Sequence, residues 1–265
     1  MTGSAPTSRL GLDEVTLIAV TSINMEATIK AIEACQNGVR FAACKLLTHE
    51  QPPRQLPGLD VVIIPELATS REYSQFMLRH LADHVATSHC LVVQWDGYVV
   101  HPERWDPAFL EFDYLGASWP QFSDGYDVGN GGFSLRSRRL LKACQAEQFV
   151  PSHPEDVAIG RINRPWLEQQ GMRFATRQLA DTFSAERAST PDKAFGFHGV
   201  WHMPALLGAQ RFWSLYQELE DRKSVYHDVR TIMAQLAGHP EGWRRCCQLG
   251  LDKLRDTVTG RKKLV

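Results

Sequence analysis

The amino-acid sequence predicts an α/β protein with a doubly wound, mainly parallel sheet and a helical C-terminal extension. In the first half, short continuous apolar runs alternate with segments of helical spacing, and such runs are typical of parallel strands buried on both faces. Repeated units of this kind place helices on both faces of one sheet. From about residue 203 the pattern is helical throughout. We therefore expect a disordered N-terminus at 1–12, one domain at 13–202 and the extension at 203–265.

The predicted elements follow from the spacing of apolar residues along the chain. Continuous apolar runs predict strands at 15–20, 41–47, 59–64 and 89–97. Past residue 97 the pattern is less regular, and further strands are predicted at 114–119 and 128–135. Helices are predicted at 24–35, from the N-cap Ser70 to Val85, at 138–145 and at 157–170. In the extension, helices are expected at 206–219, 225–236 and 243–254.

Composition and charge argue against nucleic acid as a partner. Apolar residues make up 43% of the chain and charged residues 22%, as in an ordinary globular domain. The 29 Lys and Arg residues nearly balance the 30 Asp and Glu residues, so no basic field attracts a polyanion. The basic cluster Arg261-Lys262-Lys263 is interpreted as a solvated tail, with a weak contact to a membrane surface as the alternative.

The expected compartment is the cytoplasm. Residues 1–13 are rich in Ser, Thr, Pro and Gly and contain no apolar run of the kind that a signal peptide needs. Apolar runs elsewhere are too short to span a bilayer. The six cysteines form no CxxC pair, so they are predicted to be buried, reduced thiols. A position at the inner face of the membrane follows only if the basic tail binds lipid.

Asp96 stands where the predicted strand 89–97 meets a loop. Ligands of open α/β sheets bind at the carboxyl ends of strands, so a carboxylate here is placed to hold a metal ion or a substrate. Asp96-Gly97 is also a favoured turn dipeptide, and a simple turn is the alternative. The end of the first predicted strand, with Thr21, Ser22 and Asn24, faces the same rim and could hold a base or ribose.

The segment 128–136 is the most specific stretch of the sequence. Asn130-Gly131 could be only a hairpin turn. With Gly129 and Gly132 beside it, however, several nearby positions carry no side chain, which lets the backbone approach a ligand such as a sugar ring closely. The residues alone leave the turn and the ligand platform as equal alternatives.

Two acidic residues precede the predicted helix 157–170. Ser152 followed by Glu155 fits a capping box, which would give Glu155 a structural task at the helix start. Asp156 has no task so clear. In the first helical turn the dipole favours its ionised form, which is the form that a general base needs. Simple complementarity to the dipole is the alternative.

His198 stands between two aromatic residues and two glycines in the segment 195–199. A single histidine is more often a hydrogen-bonded structural residue, but the glycines give this one the freedom of a loop. Imidazole is acceptable to manganese, although ions that hold diphosphates prefer oxygen ligands. Trp119 and Trp95 are candidates for stacking on a sugar, with a place in the core as the alternative.

Five motifs together resemble an uncharacterised microbial family described as glycosyltransferase-like. They are Gln94-Trp95-Asp96-Gly97, residues 113–119 (DYLGASW), residues 128–137 (VGNGGFSLRS), Glu155-Asp156 and residues 195–199 (FGFHG). Their order also resembles metal-dependent inverting galactosyltransferases, in which a DxD-type aspartate, a glycine pair, an acidic pair and a late histidine follow one another. The resemblance covers about residues 13–200 and implies a GT-A-like fold.

This resemblance implies a glycosyltransferase of the hexosyltransferase type, which transfers a sugar from a nucleoside diphosphate to an acceptor hydroxyl. It makes Asp96 correspond to the DxD metal ligand, His198 to the late metal ligand and Asp156 to the catalytic base. Mn²⁺ or Mg²⁺ is the expected cofactor. The chain departs from the family pattern after Asp96, because Gly97 and Tyr98 follow it and the second Asp of a full DxD is missing.

The expected donor is a nucleotide sugar, with a UDP-sugar favoured, and the expected acceptor is a glycan or lipid-linked group in polysaccharide assembly. The residues expected to contact the donor are Thr21, Ser22, Asn24, Asp96, Asn130, Gly131 and Gly132. Trp119 and Glu155 are expected on the acceptor side, with Glu155 also at the catalytic centre beside Asp156.

A count of carboxylates predicts inversion at the anomeric carbon. With Asp96 assigned to the metal and Glu155 to the cap, Asp156 is the free carboxylate of the central motifs, and one base suits a single displacement. Other acidic residues that could enter the site are Asp113, Asp124, Asp127 and Glu186. The alternatives to a transferase are a metal-dependent phosphoesterase or nucleotidyl transferase, and a catalytically silent sugar-binding protein.

Overall fold

The computed structural model describes residues 9–258 and has a six-stranded sheet at its centre. The strands are β1 (Leu10–Val20), β2 (Val39–Thr48), β3 (Leu59–Ile63), β4 (His89–Val93), β5 (Gly97–Val99), β6 (Tyr114–Leu115), β7 (Ala117–Ser118), β8 (Val128–Gly129), β9 (Phe133–Ser137), β10 (Ser184–Ala185) and β11 (Gly196–His198). The central order is β3-β2-β1-β4-β9-β6, in which β3, β2, β1 and β4 are parallel and β9 is antiparallel to its neighbours. Smaller sheets are β10-β11-β5 and β7-β8. The predicted α/β fold with a mainly parallel sheet is confirmed.

Helices flank this sheet and dominate the described chain after residue 202. They are α1 (Met25–Gly38), α2 (Ser70–Arg79), α3 (Arg138–Cys144), α4 (Glu155–Val157), α5 (Arg164–Gln169), α6 (Arg177–Phe183), α7 (Met203–Leu207), α8 (Ala209–Glu218), α9 (Lys223–His227), α10 (Val229–Ala237) and α11 (Gly242–Val258). Between α4 and α5 the chain forms a π-helical turn at Ala158–Ile162. Within residues 9–258 no helix combines the length and apolarity needed to cross a bilayer.

Alternate residues of β1 pack against helices on opposite faces of the sheet. Leu17 shares a buried cluster with Ile29 of α1, whereas Ile18 shares a second cluster with Phe76 of α2. Successive side chains of a strand point to opposite faces, so α1 and α2 cover opposite faces of the sheet. The sheet is therefore doubly wound, and burial on both faces explains why this strand is a continuous apolar run.

Several predicted elements are interrupted in the structure. The single strand predicted at 128–135 is wrong, because the chain leaves β8 at Gly129, turns at Asn130 with φ 76° and enters β9 in a different sheet. The single helix predicted at 157–170 is also wrong. It is divided into the end of α4, the π-helical turn and α5, where Pro165 stands in the first turn. Proline has no N–H to continue a helix and its ring crowds the preceding turn.

The beginnings of two elements differ from the prediction. β1 begins at Leu10, so the disordered segment predicted for 1–12 extends too far, while residues 1–8 lie outside the described chain. The N-cap of α2 is Thr69, not Ser70. The Thr69 side chain accepts from the backbone N–H of Glu72, whose carboxylate accepts from the Thr69 N–H, which completes a capping box.

The cysteines are free thiols that differ in exposure. Four of them are buried, namely Cys35, Cys44, Cys90 and Cys144. Burial raises the pKa of the Cys35 thiol to about 12, which keeps it protonated and unreactive. Cys246 is partly buried and Cys247 is exposed, so the prediction of buried thiols is wrong for the last two.

The helical extension shares one hydrophobic core with the sheet. Phe212 of α8 and Ile232 of α10 lie in the same buried cluster as Leu17 of β1. The expected helices are present after residue 203, interrupted at Gly208, whose φ is 78°. The change at residue 203 therefore separates types of secondary structure and does not separate two cores.

Asn24 joins the start of α1 to the extension. It is buried, with left-handed backbone at φ 54°. Its Oδ1 accepts from the backbone N–H groups of Glu220 at 2.9 Å and Asp221 at 3.0 Å, and its Nδ2 donates to the Asp221 carbonyl at 3.0 Å. Both ends of the amide are thus used to hold the loop between α8 and α9.

We expect Asn24→Ala to lower the free energy of unfolding by about 2 kcal/mol, since buried backbone groups lose their partners. Urea denaturation measures the change. The matched control is Asn37→Ala on the same helix, where the side chain is exposed and the expected change is within about 0.5 kcal/mol. Equal stabilities of the two variants would contradict the role of Asn24 as a tether.

Candidate active site

Asp96 lies in the turn between β4 and β5, at the carboxyl end of β4, with a relative exposure of 6%. The Gly97 N–H donates to the Gln94 carbonyl at 3.0 Å and closes this turn. Gly97 is then the antiparallel partner of His198 in β11, and the Gly199 N–H donates to the Asp96 carbonyl at 2.9 Å. Strand pairing thus brings the two predicted metal ligands together.

The ring of His198 lies between two carboxylates. Its Nε2 is 3.7 Å from Asp96 Oδ1, and its Nδ1 is 3.2 Å from Glu186 Oε1. Because a carboxylate can only accept, Nδ1 carries a proton and donates to Glu186. Burial favours the neutral ring, but Asp96 and Glu186 outweigh it and raise the pKa of His198 to about 9. Burial also raises the pKa of Asp96, an effect that His198 opposes.

The glycine pair allows the backbone to pass between two side chains of the site. A Cβ on Gly132 would collide with His198 Nε2, and a Cβ on Gly131 would collide with Glu155 Oε1. The preceding Asn130 closes the turn through its Oδ1, which accepts the Gly132 N–H at 2.9 Å. This segment is not a hairpin, because β8 and β9 belong to different sheets. The space freed by the glycines is occupied by protein side chains.

Glu155 forms no capping box, so that prediction is wrong. The N-cap of the short α4 is Pro154, and no side chain caps it. Glu155 instead has a relative exposure of 5% and accepts from Arg136 Nη2 at 3.2 Å and from Ser74 Oγ at 3.3 Å. Arg136 itself is 0% exposed. A charge buried this deeply requires a counter-charge, and this requirement outweighs helix capping.

Arg136 also holds the glycine turn. Its Nε donates to Ser134 Oγ at 3.0 Å, and its Nη2 donates to the Gly131 carbonyl at 3.3 Å. The guanidinium lies 5.6 Å from the centre of the Tyr114 ring, whose hydroxyl donates to the Asn130 carbonyl at 3.1 Å. Sequence reasoning missed this residue, although a single charge inside the apolar strand FSLRS was an available signal.

Asp156 is half-buried and retains one carboxylate oxygen without a hydrogen bond within the described part of the chain. Its Oδ1 accepts the Val157 N–H at 2.8 Å. Burial and the neighbouring Glu155 raise the pKa of Asp156 to about 6, and Arg136 opposes them. The charge of Asp156 also contributes to the raised pKa of His198. A carboxylate with this pKa is mostly ionised at neutral pH and is a stronger base than an ordinary Asp.

Asp96 and His198 would offer a divalent cation an open site with two protein ligands, and His198, whose pKa is raised to about 9, must release its Nε2 proton before it binds a cation. In the part of the chain that the structure covers, no group of three or more His, Cys, Asp or Glu side chains is arranged to hold a metal. His198 nevertheless offers Nε2 toward Asp96 while Glu186 binds Nδ1, and such an outer carboxylate usually orients a histidine that binds metal. Phosphate oxygens and water would have to supply the other ligands.

Two adjoining cavities lie beside this site. The smaller, of about 90 Å³, is at the ends of β1 and β4 and is lined in part by Thr21, Tyr73 and Trp95. The larger, of about 900 Å³, shares Ser22 with it and extends to the loop after α8 and to α11. Thr21 and Ser22, predicted to lie at the rim of the sheet, therefore line a cavity. Asn24 also lines the smaller cavity, although its amide is bound to the extension, and its donor contact stays a prediction.

Trp119 presents little surface for stacking, and its acceptor contact stays a prediction. Its relative exposure is 7%, and its indole occupies the space beside Gly129 and Gly160. The missing side chains of these glycines make room for the ring within the protein. Trp95 is partly exposed and lines the smaller cavity, so it is the tryptophan that a ligand could reach.

Of the four additional acidic residues, only Glu186 enters the site. The other three form ion pairs with arginines away from His198: Asp113 with Arg139, Asp124 with Arg161, and Asp127 with Arg177. Glu186 follows β10, which pairs with β11 and so carries it to the His198 ring. That pairing was not visible in the sequence.

We expect Glu155→Gln to lower the free energy of unfolding by about 3 kcal/mol or more, because the buried Arg136 loses its counter-charge. Urea denaturation measures the loss. The control is Glu111→Gln, which removes a pair with Arg173 in which both side chains are more than half exposed, and it should cost less than about 1 kcal/mol. A Glu155 variant as stable as the control would show that the pair is not required.

Solved structures similar to this chain include three glycosyltransferases. One, involved in glycosylation of the major capsid of PBCV-1, matches with TM-score 0.44 and 13% identity over 77% of this chain and 98% of that one. The apo-form GlyE of Streptococcus pneumoniae TIGR4 matches with TM-score 0.39 and 12% identity over 76% of this chain and 51% of its own, about half its length. The mannosyltransferase PcManGT from Pyrobaculum calidifontis, solved with GDP-Man and Mn²⁺, matches with TM-score 0.41 and 12% identity over 97% of this chain and 85% of that one. No curated protein matches the sequence.

One protein family matches the central part of the sequence. Its description is "Protein of unknown function (DUF5672)", and the match covers residues 59–198. This range includes Asp96, Asp156 and His198 together with the glycine pair between them. Because the match spans more than half of the 265 residues, the chain belongs to the DUF5672 family of proteins of unknown function.

Proposed function

We propose that this protein is a glycosyltransferase that moves a sugar from a nucleoside diphosphate to an acceptor hydroxyl. The observation that carries the proposal is the placement of two chemical functions around one glycine pair. Gly132 lies against His198, the partner of Asp96, and Gly131 lies against Glu155, the neighbour of Asp156. The residues proposed to bind a cation and the carboxylate proposed as base therefore flank one turn near the carboxyl end of β4, and α/β proteins bind ligands at such strand ends.

Asp96 and His198 would hold Mn²⁺ or Mg²⁺ together with diphosphate oxygens of the donor. When bound, such an ion neutralises charge on the departing nucleoside diphosphate. His198 would present Nε2, while Glu186 keeps Nδ1 protonated and fixes the ring. The burial of Asp96 strengthens its attraction for a cation, because its low-dielectric surroundings screen charge less than water does.

Asp156 would accept the proton of the acceptor hydroxyl as that oxygen attacks the anomeric carbon. Glu155, a candidate for catalysis and acceptor contact from the sequence, is committed to Arg136, and we leave it out of the chemistry. Glu186 is committed to His198. Asp156 is then the free base of the site. One base suits a single displacement with inversion, so an α-linked donor would give a β-linked product.

The donor would extend from Asp96 into the adjoining cavities. Five carboxylates line the larger cavity beside two basic residues, Arg222 and Lys223, so its net charge is negative and repels phosphates. Carboxylate oxygens also accept hydrogen bonds from the hydroxyl groups of a ribose. This charge favours the nucleoside in the large cavity and the diphosphate at the Asp96 end. Ser22 and Trp95 would contact the ribose or base. We favour a UDP-sugar donor and a glycan or lipid-linked acceptor in polysaccharide assembly.

The alternatives have less support from the geometry. A metal-dependent phosphoesterase or nucleotidyl transferase usually gathers more metal ligands, and residues 9–258 contain no group of three or more suitable side chains. A silent sugar-binding protein has no use for a carboxylate such as Asp156, whose pKa is raised to about 6. The transferase accounts for both halves of the site.

We expect Asp96→Asn to weaken Mn²⁺-dependent binding of a nucleoside diphosphate at least about 10-fold, because the cation loses its charged ligand. Calorimetry with UDP and GDP, with and without Mn²⁺, measures the effect, and the same experiment on the unchanged protein identifies the nucleotide. Asp60→Asn, at an exposed position of β3, is the control. Unchanged metal dependence in the Asp96 variant would refute the metal assignment.

We expect Asp156→Asn to leave donor affinity intact and to lower turnover about 10²- to 10⁴-fold, the usual contribution of a general base. In the unchanged protein, turnover should rise as pH increases through about 6, where Asp156 ionises. Proton NMR of the first product measures turnover and anomeric configuration together. The exposed variant Asp83→Asn is the control. Full activity of the Asp156 variant, or an α-linked product from an α-linked donor, would exclude the single-base mechanism.

A further inference from the structure

Helix α11 carries an exposed apolar stripe. Of the large hydrophobic side chains exposed within residues 9–258, four lie on this helix: Trp243, Leu251, Leu254 and Val258, with relative exposures of 67%, 61%, 65% and 84%. At about 100° per residue they fall within an arc of about 80°, which also contains the exposed Cys247. The opposite face packs on the protein through Arg245, Leu249 and Asp252. One continuous face of α11 is thus left uncovered by residues 9–258.

The charges of α11 are divided between its two faces. Asp252 is buried and accepts from the Tyr216 hydroxyl at 2.8 Å, and Asp256 accepts from the Tyr226 hydroxyl at 2.6 Å. The charged residues that α11 exposes are basic, namely Arg244 and Arg255. Glu241 precedes the helix, 3.9 Å from Arg244. The sequence continues beyond Val258 with three further basic residues at 261–263. The uncovered side of the helix is therefore apolar with one basic margin.

A cavity rich in arginine adjoins the stripe. Its volume is about 460 Å³, and it is lined by four arginines, Arg222, Arg244, Arg245 and Arg255, and by two carboxylates, Glu241 and Asp252, the second of which accepts from Arg222 at 3.4 Å. The Nε atoms of Arg222 and Arg245 are buried and have no hydrogen-bond partner in the described part of the chain. The four arginines outnumber the two carboxylates of the lining, so the charge of the cavity favours an anionic oxygen. Arg244 and Arg255 belong both to this cavity and to the margin of the stripe.

We propose that this face of α11 docks on an anionic lipid bilayer. The apolar stripe enters the boundary between headgroups and acyl chains, and the arginine cavity receives a lipid phosphate. Charge complementarity favours this occupant over a second copy of the chain, because a symmetric dimer would bring the same arginines face to face. The inference is independent of the proposed transferase activity.

Sedimentation with vesicles tests the proposal on the full chain. We expect binding to vesicles of phosphatidylcholine with about one-third phosphatidylglycerol, and little binding to phosphatidylcholine alone. Replacing three stripe residues, Trp243→Ser with Leu251→Ser and Leu254→Ser, should lower the partition about 10-fold or more. These side chains are exposed, so the fold should survive, and circular dichroism checks it. Failure of the unchanged protein to bind anionic vesicles overturns the proposal.

A matched control removes exposed apolar side chains elsewhere, through Ile63→Ser, Val150→Ser and Ile162→Ser. This control variant should bind vesicles as the unchanged protein does, and an equal loss of binding in both variants overturns the role of the stripe.

A charge variant, Arg244→Gln with Arg255→Gln, isolates the basic margin. It should lose about 10-fold or more in partition to anionic vesicles. In the unchanged protein, 1 M salt should weaken binding, because it shortens the Debye length to about 3 Å. Stabilisation by inorganic phosphate without vesicle binding would mean a free-anion pocket, and a dimer in sedimentation equilibrium that the stripe variant abolishes would mean a protein interface. Either result overturns the proposal.

Discussion

The candidate site depends on the ion pair between the buried guanidinium of Arg136 and the carboxylate of Glu155. Removed from solvent, the guanidinium persists only because Glu155 supplies the opposite charge. This ion pair fixes α4 against β9, and the bond from Arg136 to the Gly131 carbonyl fixes the glycine turn at the same time. Asp156 follows Glu155, and His198 lies against the turn. The positions of both chemical groups are therefore set by a residue that has no exposed surface.

The central sheet was predictable because a parallel strand buried on both faces has an unmistakable composition. Leu17 and Ile18 of β1 are both buried, although they face opposite sides of the sheet. The strand is therefore a continuous apolar run and shows no alternation of apolar and polar residues. The edge that carries the candidate site was predictable for the same reason, since polar residues that end such strands gather there. The order of the motifs predicted that Asp96 and His198 belong to one site. In the structure, Asp96 Oδ1 lies 3.7 Å from His198 Nε2.

The remaining features depend on contacts that local sequence does not encode. Glu155 has the spacing of a capping residue from Ser152, but Arg136 on a distant strand recruits it. Trp119 has the character of a stacking residue, but Gly129 on the neighbouring strand and the more distant Gly160 make room for it inside the protein. Helix breaks at a proline or a left-handed residue were visible in principle. Partners across strands were not, because they follow from the register of the sheet.

The tether at Asn24 has a thermodynamic consequence for any ligand of the large cavity. One wall of that cavity, which includes Asp221 and Tyr226, belongs to the extension, and Asn24 holds this wall against α1. A ligand that binds only the assembled cavity adds RT ln(1 + [L]/Kd) to the stability of that assembly. By the same linkage, any loosening of the helices far from the chemistry lowers apparent affinity. The affinity for any such ligand is thus partly a measure of how firmly the C-terminal helices are docked.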